Sequence, residues 1–258
     1  MSDLTFIGTA TTLLRLGDFT VLTDPNFLHR GQRAYLGKGL WSRRLTEPAM
    51  QPEQLPPLDL VVLSHLHGDH FDRVARRRLS RDQPVITTRS AARTLAGWGF
   101  EAAGLGTWQE HVLARGDQRL SITSLPGIHA RGVLRRVLPP VMGSMLTLTD
   151  GNEERRVYIT GDTLTGAHLD EIATRFPRID LAVTHLGGTR ILFHTVTMDA
   201  PQGVDLVRRT NPRRVVPVHH DDYRVFRDPL DRFLRAAQEA GLGDRVETVA
   251  PGETVPIL

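Results

Sequence analysis

The sequence contains no cysteine, which excludes disulfides, thiolate metal sites and a cysteine nucleophile together. It contains one lysine, Lys38, and every other one of its 32 basic residues is arginine. So strong a bias reads as the codon composition of a GC-rich bacterial genome. The arginines are scattered and the net charge is only +3, so no nucleic-acid partner is expected. The densest group, Arg73, Arg76, Arg77, Arg78 and Arg81, falls on or after a short helix, where a solvated face accounts for it. Long apolar runs are also missing, so no membrane span is expected. The Met1-Ser2-Asp3 start lacks a basic leader, and the expected compartment is the cytoplasm. Aromatic residues are scarce, at 6%, so three of them inside one irregular segment, Phe27, Tyr35 and Trp41, call for a reason.

What is present is ordinary for a globular enzyme: 258 residues, 40% hydrophobic and 24% charged. Strand-like runs alternate with helix-like ones over the whole length, with no linker-like break. The expectation is one α/β domain over 1–258, two sheets packed face to face with helices outside. Strands are expected at Leu4 to Ile7, Thr12 to Leu16 and Phe19 to Thr23. Further strands are expected at Pro84 to Thr87, Leu120 to Leu125, Ser144 to Thr149, Val157 to Thr160, Leu181 to Val183 and Val215 to Val218, with a last one near Val246 to Ala250. Helices are expected over Asp72 to Leu79, from a Ser90 cap to about Ala96, after Asp199, and after Asp228-Pro229. Residues 26–57 break the pattern with three glycines and four prolines. A segment this long without periodicity is usually functional, and Trp41 within it suggests a cover on the substrate side.

The most informative stretch is Leu60-Val61-Val62-Leu63-Ser64-His65-Leu66-His67-Gly68-Asp69-His70. An apolar β-branched run empties into six residues carrying three imidazoles and a carboxylate. Side chains alternate along an extended segment, so His65 and His67 point the same way and can grip one ion, while Asp69 and His70 can reach a second. Gly68 is expected to let the backbone bend between the two pairs.

The His-x-His-x-Asp-His motif after a hydrophobic strand resembles the signature of the metallo-β-lactamase superfamily, which implies a four-layer αββα sandwich of two mixed sheets. Phe6-Ile7-Gly8-Thr9-Ala10-Thr11, Leu22-Thr23-Asp24-Pro25, Gly143-Ser144-Met145-Leu146, Gly161-Asp162-Thr163 and Val216-Pro217-Val218-His219 narrow the likeness. They resemble the branch containing L-ascorbate-6-phosphate lactonase and N-acyl-phosphatidylethanolamine phospholipase D. Phospholipase-like members usually carry His where Thr9 stands.

The resemblance implies that His65, His67 and His129 hold one divalent ion, that Asp69, His70 and His219 hold another, and that Asp162 bridges them. Asp24 then supports the histidine motif from behind, accepting a hydrogen bond from a metal-bound imidazole. Nitrogen and oxygen ligands suit Zn, with Mn or Fe as alternatives. The implied chemistry is hydrolysis of an ester, lactone or phosphodiester in an anionic small molecule by a metal-bridging hydroxide, with Asp69 or His219 assisting proton transfer. Arg131, with Arg135 and Arg136, is a candidate anion fork beside His129, and His185 and Trp41 are candidate pocket residues. Two other readings share the ligand set: a nuclease resembling tRNase Z, and a metal-binding protein of the same fold without turnover. The sequence leaves a homo-oligomer open.

Overall fold

The structure is a computed structural model and describes residues 2–132, 137–191 and 194–257. In the first half the elements are β1 (Ser2–Gly8), β2 (Thr11–Leu16), β3 (Phe19–Thr23), β4 (Arg33–Tyr35), β5 (Trp41–Arg43), β6 (Leu60–Val62), α1 (Arg73–Arg78), β7 (Val85–Thr88), α2 (Arg89–Gly97) and β8 (Ala102–Leu105). The second half has β9 (Glu110–Arg115), β10 (Gln118–Pro126), β11 (Met142–Asp150), β12 (Glu153–Ile159), α3 (His168–Arg175), β13 (Leu181–His185), β14 (Arg190–Ile191), β15 (His194–Thr195), α4 (Ala200–Thr210), β16 (Arg214–Val218), α5 (Leu230–Glu239) and β17 (Thr254–Pro256).

Two large mixed sheets result. One has seven strands in the order β17-β1-β2-β3-β6-β7-β8, the other six in the order β16-β13-β12-β11-β10-β9. Strict alternation of side chains decides how they pack. Leu60 and Val62 of β6 join the central core together with Leu146 and Leu148 of β11, Ile159 of β12 and Val216 of β16, which places that core between the sheets. Their neighbours point the other way. Val61 and Leu63 pack with Ala75, Leu79 and Leu95 under α1 and α2, whereas Tyr158, Ala182 and Val215 pack with Ile172, Val207 and Phe233 under α3, α4 and α5. The layers are therefore helix, sheet, sheet, helix, the αββα order of the metallo-β-lactamase fold. Sliding any of these strands by one residue would exchange its two apolar sets between layers, so register is tightly specified.

Three local expectations are corrected. The cap of α2 is Thr88, whose side chain accepts the Ala91 N–H, and Ser90 already lies inside the helix; the helix springs directly from the strand, with no intervening loop to hold a separate cap. Helix α5 begins directly after Asp228-Pro229, as expected, with Pro229 at its cap position and the Asp228 carboxylate accepting from the Ala200 N–H and from Arg232. No strand forms over residues 246–250; Val246 makes one isolated bridge to Val215, and the last strand is β17, which pairs with β1 in the other sheet. Residues 26–57 contain the β4–β5 hairpin and a 3-10 turn at Pro52–Gln54.

The clustered arginines are engaged locally: Arg78 with Glu53, Arg76 over the Trp98 ring at 4.1 Å and Arg81 over the Phe100 ring at 3.8 Å. No helix among the described residues is long and apolar enough to cross a membrane.

Candidate metal centre

β3, β6, β12, β13 and β16 have parallel partners, so their carboxyl ends lie along one edge of the sandwich. Asp24, the His65–His70 segment, Asp162, His185 and His219 leave from those ends. The backbone is strained there: Asp24 and His219 have φ of 37° and 61°, a left-handed region uncommon for side-chain-bearing residues and concentrated at functional sites.

His65, His67 and His129 form one convergent set. His65 Nε2 lies 2.9 Å from His67 Nδ1, which lies 3.4 Å from His129 Nε2. Zn–N bonds of about 2.0–2.1 Å at tetrahedral angles separate ligand nitrogens by roughly 3.3 Å, so this triangle fits the face of a metal site. Partners on the far side of each ring fix which nitrogen is free. The Ser64 hydroxyl donates to Asp24 Oδ1 at 2.9 Å and so accepts from His65 Nδ1 at 3.1 Å. His129 Nδ1 donates to the Val196 carbonyl at 3.0 Å. Both leave an Nε2 lone pair facing the cluster.

The second set is Asp69, His70 and His219. His219 Nδ1 donates to the Leu186 carbonyl at 3.1 Å, which turns its Nε2 toward Asp69 Oδ2, 3.4 Å away. His70 Nε2 lies 3.4 Å from Asp162 Oδ1. Asp162 joins the sets, because it converges with His65 from one and His70 from the other. Four buried atoms here have no hydrogen-bond partner: Asp69 Oδ1, His70 Nε2, Asp162 Oδ1 and His219 Nε2. Buried polar atoms left unpaired cost about 1–3 kcal/mol each, more when charged. Four of them aimed into one space fit a cation.

Asp24 stands behind this cluster. Its Oδ1 accepts the Ser64 N–H at 2.8 Å, and its Oδ2 lies 3.2 Å from His185 Nε2 and 3.5 Å from His70 Nδ1. The trio Asp24, His70 and His185 is also compact, but its near contacts pair imidazole N–H groups with carboxylate oxygen, an arrangement that orients His70. His185 is therefore not on an open pocket wall; it is completely buried and also held by Thr160. An apolar strand ending in His gave no way to tell the two placements apart.

Electrostatics divide the cluster. Burial, reinforced by the charges of neighbouring imidazoles, holds His65 well below the usual histidine range and pushes His67 down to about 4; burial also lowers His129. These rings are neutral near pH 7, as metal ligation requires. Burial opposes charge on His70 too, but Asp162, Asp24 and Asp69 outweigh it and hold that ring well above its ordinary value. For Asp162, burial is likewise outweighed, here by His219 and His70, and its carboxyl sits well below the usual range.

Several supporting groups carried no recognisable signal. Thr197 donates its hydroxyl to Asp162 Oδ2 at 2.9 Å, and the Val196 and Leu186 carbonyls act through the backbone. Gly68 does something other than expected. Its φ is not left-handed; instead its N–H donates to the Tyr35 carbonyl at 2.9 Å, and a Cβ there would lie 2.6 Å from that oxygen. Thr9 accepts the His219 N–H with its carbonyl at 2.6 Å. His220 turns away to Asp221, 2.8 Å distant.

Among the substrate-side candidates, Trp41 is 59% exposed and lines a groove beside His67. Arg131 lies by a polar cavity with Thr165, His194, Thr195 and Gln202 and donates to the Thr165 carbonyl at 2.7 Å. Arg135 and Arg136 lie outside the described residues.

The sequence profile of the β-lactamase superfamily domain matches residues 20–220, and the chain belongs to the metallo-β-lactamase superfamily. It is a metal-dependent hydrolase. A metal-dependent hydrolase of Hyperthermus butylicus is 23% identical over 265 residues, covering 98% of each chain. The N-acyl-phosphatidylethanolamine-hydrolyzing phospholipase D 1 of Caenorhabditis elegans is 25% identical over 277 residues, covering 96% of this chain and 74% of its own. Among solved structures, an isothiocyanate hydrolase from Delia radicum gut bacteria superposes with a TM-score of 0.83 at 22% identity, covering 99% of both chains. At that identity the likeness speaks for the fold.

Proposed function

We propose that the chain uses two divalent ions, zinc in the first place, to hydrolyse an ester, lactone or phosphodiester bond in a small anionic molecule. The observation that carries this reading is the convergence of buried, unpartnered Asp69 Oδ1, His70 Nε2, Asp162 Oδ1 and His219 Nε2 beside the His65, His67 and His129 triangle. One ion would be held by that triangle and the other by Asp69, His70 and His219, with Asp162 reaching both. Divalent ions bound there supply hydroxide at neutral pH and stabilise developing negative charge.

The chain's own residues do the remaining work. Asp69, with one oxygen 3.4 Å from His219 Nε2, and His219 itself are the groups able to hold or pass a proton at the reacting atoms. Asp24 keeps His70 oriented and Thr197 keeps Asp162 oriented. Arg131, on the rim of a cavity of about 450 Å³ that also holds His194, is the candidate anchor for substrate charge.

Elemental analysis of protein purified without added metal, combined with assays on bis-p-nitrophenyl phosphate and a lactone panel, tests this. About two ions per chain with chelator-sensitive turnover is the expected result. Metal below half an equivalent that cannot be restored, with no turnover, would overturn it in favour of a binding protein. Arg131→Ala should weaken substrate binding at unchanged metal content.

A further inference from the structure

A groove of about 410 Å³ runs alongside His67, walled by Leu28, Tyr35, Trp41, Leu66, Phe71 and Trp98. Its volume is that of a small-molecule site. His67 and Gly68 form part of its lining, so it abuts the metal-ligating cluster through one imidazole. It is concave as well as apolar: Leu28 and Phe71 are buried, at 0% and 5% exposure.

The wall is rigid. The Gly68 N–H bonds to the Tyr35 carbonyl, the Leu45 N–H to Asp222 at 2.8 Å, and the Arg224 N–H to Arg43 at 3.1 Å. These bonds tie the β4–β5 hairpin to the histidine loop on one side and to the segment after His219 on the other. The hairpin nonetheless leaves large apolar groups in water. Six such side chains are exposed among the described residues, and Tyr35, Leu40, Trp41 and Leu45 all belong to this hairpin and its flank. Apolar surface concentrated beside a pocket marks a binding face.

Charge on the groove is one-sided. Arg33, Arg73 and Arg76 line it, and no ion pair among the described residues involves any of them. Arg73 donates to the Arg33 carbonyl at 2.9 Å, and Arg76 stacks over Trp98. The acid in the lining, Asp72, is spent: its two oxygens accept the Phe27, Leu28, Val74 and Ala75 N–H groups at 2.6 to 2.8 Å.

We propose that this groove receives the non-reacting body of the substrate, an aryl or medium-length alkyl group, with a negative charge set against Arg73 and Arg76. The assignment rests on the hydrolase reading for its word "substrate", and deepens it by giving the class: an amphiphilic organic anion. A membrane surface would meet Trp41 and Leu40, but it would leave the buried floor formed by Leu28 and Phe71 unfilled.

Binding can be measured without turnover. Metal-replete protein is titrated with 1-anilinonaphthalene-8-sulfonate by fluorescence, and octanoate and 1-octanol are compared as competitors. Saturable binding at one site is expected, with octanoate the stronger competitor. Trp41→Ala, at an exposed position that does not hold up the core, and the Arg73→Gln/Arg76→Gln pair should each weaken it by about fivefold or more at unchanged metal content. Chelated protein should retain it. Unchanged affinity in both variants would overturn the proposal, as would equal competition by octanol. So would binding confined to anionic phospholipid vesicles and lost in Trp41→Ala, which would make this a membrane-docking face. If the protein proves metal-loaded but inactive on every substrate panel while the probe still binds, the hydrolase reading fails and the groove stands. If it turns over and the variants change neither probe affinity nor KM, the reverse holds.

Discussion

Thr197 donates its hydroxyl to one oxygen of Asp162, and the other oxygen of that carboxylate is left bare and buried against His70. A single hydroxyl thus decides which way the carboxylate faces. Thr197→Val keeps the shape of the side chain and removes the donor. It should lower metal affinity by about 10- to 100-fold, the usual effect of losing a group that orients a ligand, whereas Thr197→Ser should retain it. Competition with a chromogenic chelator measures both.

Asp24 is the acceptor that two imidazoles share. In Asp24→Asn the negative charge disappears from a site where His70 and His185 approach within 3.5 Å, and His70 loses the group that orients it. The expected outcome is reduced metal content, most simply followed by elemental analysis after dialysis. Wild-type stoichiometry at low free metal would show that His70 holds its orientation without that charge.

Gly68→Ala places a methyl group 2.6 Å from the Tyr35 carbonyl oxygen. Neither backbone can retreat without breaking the bond between them, so the hairpin must shift. Overpacking of this kind costs about 1–3 kcal/mol. A lowered denaturation midpoint together with altered tryptophan fluorescence from Trp41 is expected; an unchanged midpoint would show that the contact is slack.

Removing metal should lower thermal stability, because the cluster is assembled only in the folded chain and its ligand atoms lack other partners. Calorimetry before and after chelation should show a fall in Tm that added zinc reverses and added magnesium does not, since imidazole ligands suit zinc.

Much of this arrangement could be read from residue order. The apolar strands declared themselves as short apolar runs, and His65, His67, Asp69 and His70 by their density. What could not be read falls into two kinds. Val196 and Leu186 contribute carbonyls, which every residue has, so nothing in their side chains marks them. Thr197 and Ser64 are common residues whose partners, Asp162 and Asp24, are distant in sequence. His185 looked like a pocket residue because strand ends gather at the site, yet the same geometry can bury a side chain behind it. The misplaced final strand has a similar origin: Val246 to Ala250 is apolar enough to pair, but β16 gives it a single bridge, while the short Thr254–Pro256 segment finds a full partner in β1.

The candidate ligands are drawn from both sheets, with His65 emerging early in synthesis and His219 near its end. A ribosome adding about 5–20 residues per second releases the first histidines several seconds before β16 exists. During that interval the chain already carries the His65, His67 and His129 set, whereas Asp69 and His70 still lack His219. The second set is therefore completed only when β16 joins its sheet and brings His219 to Asp69 and His70.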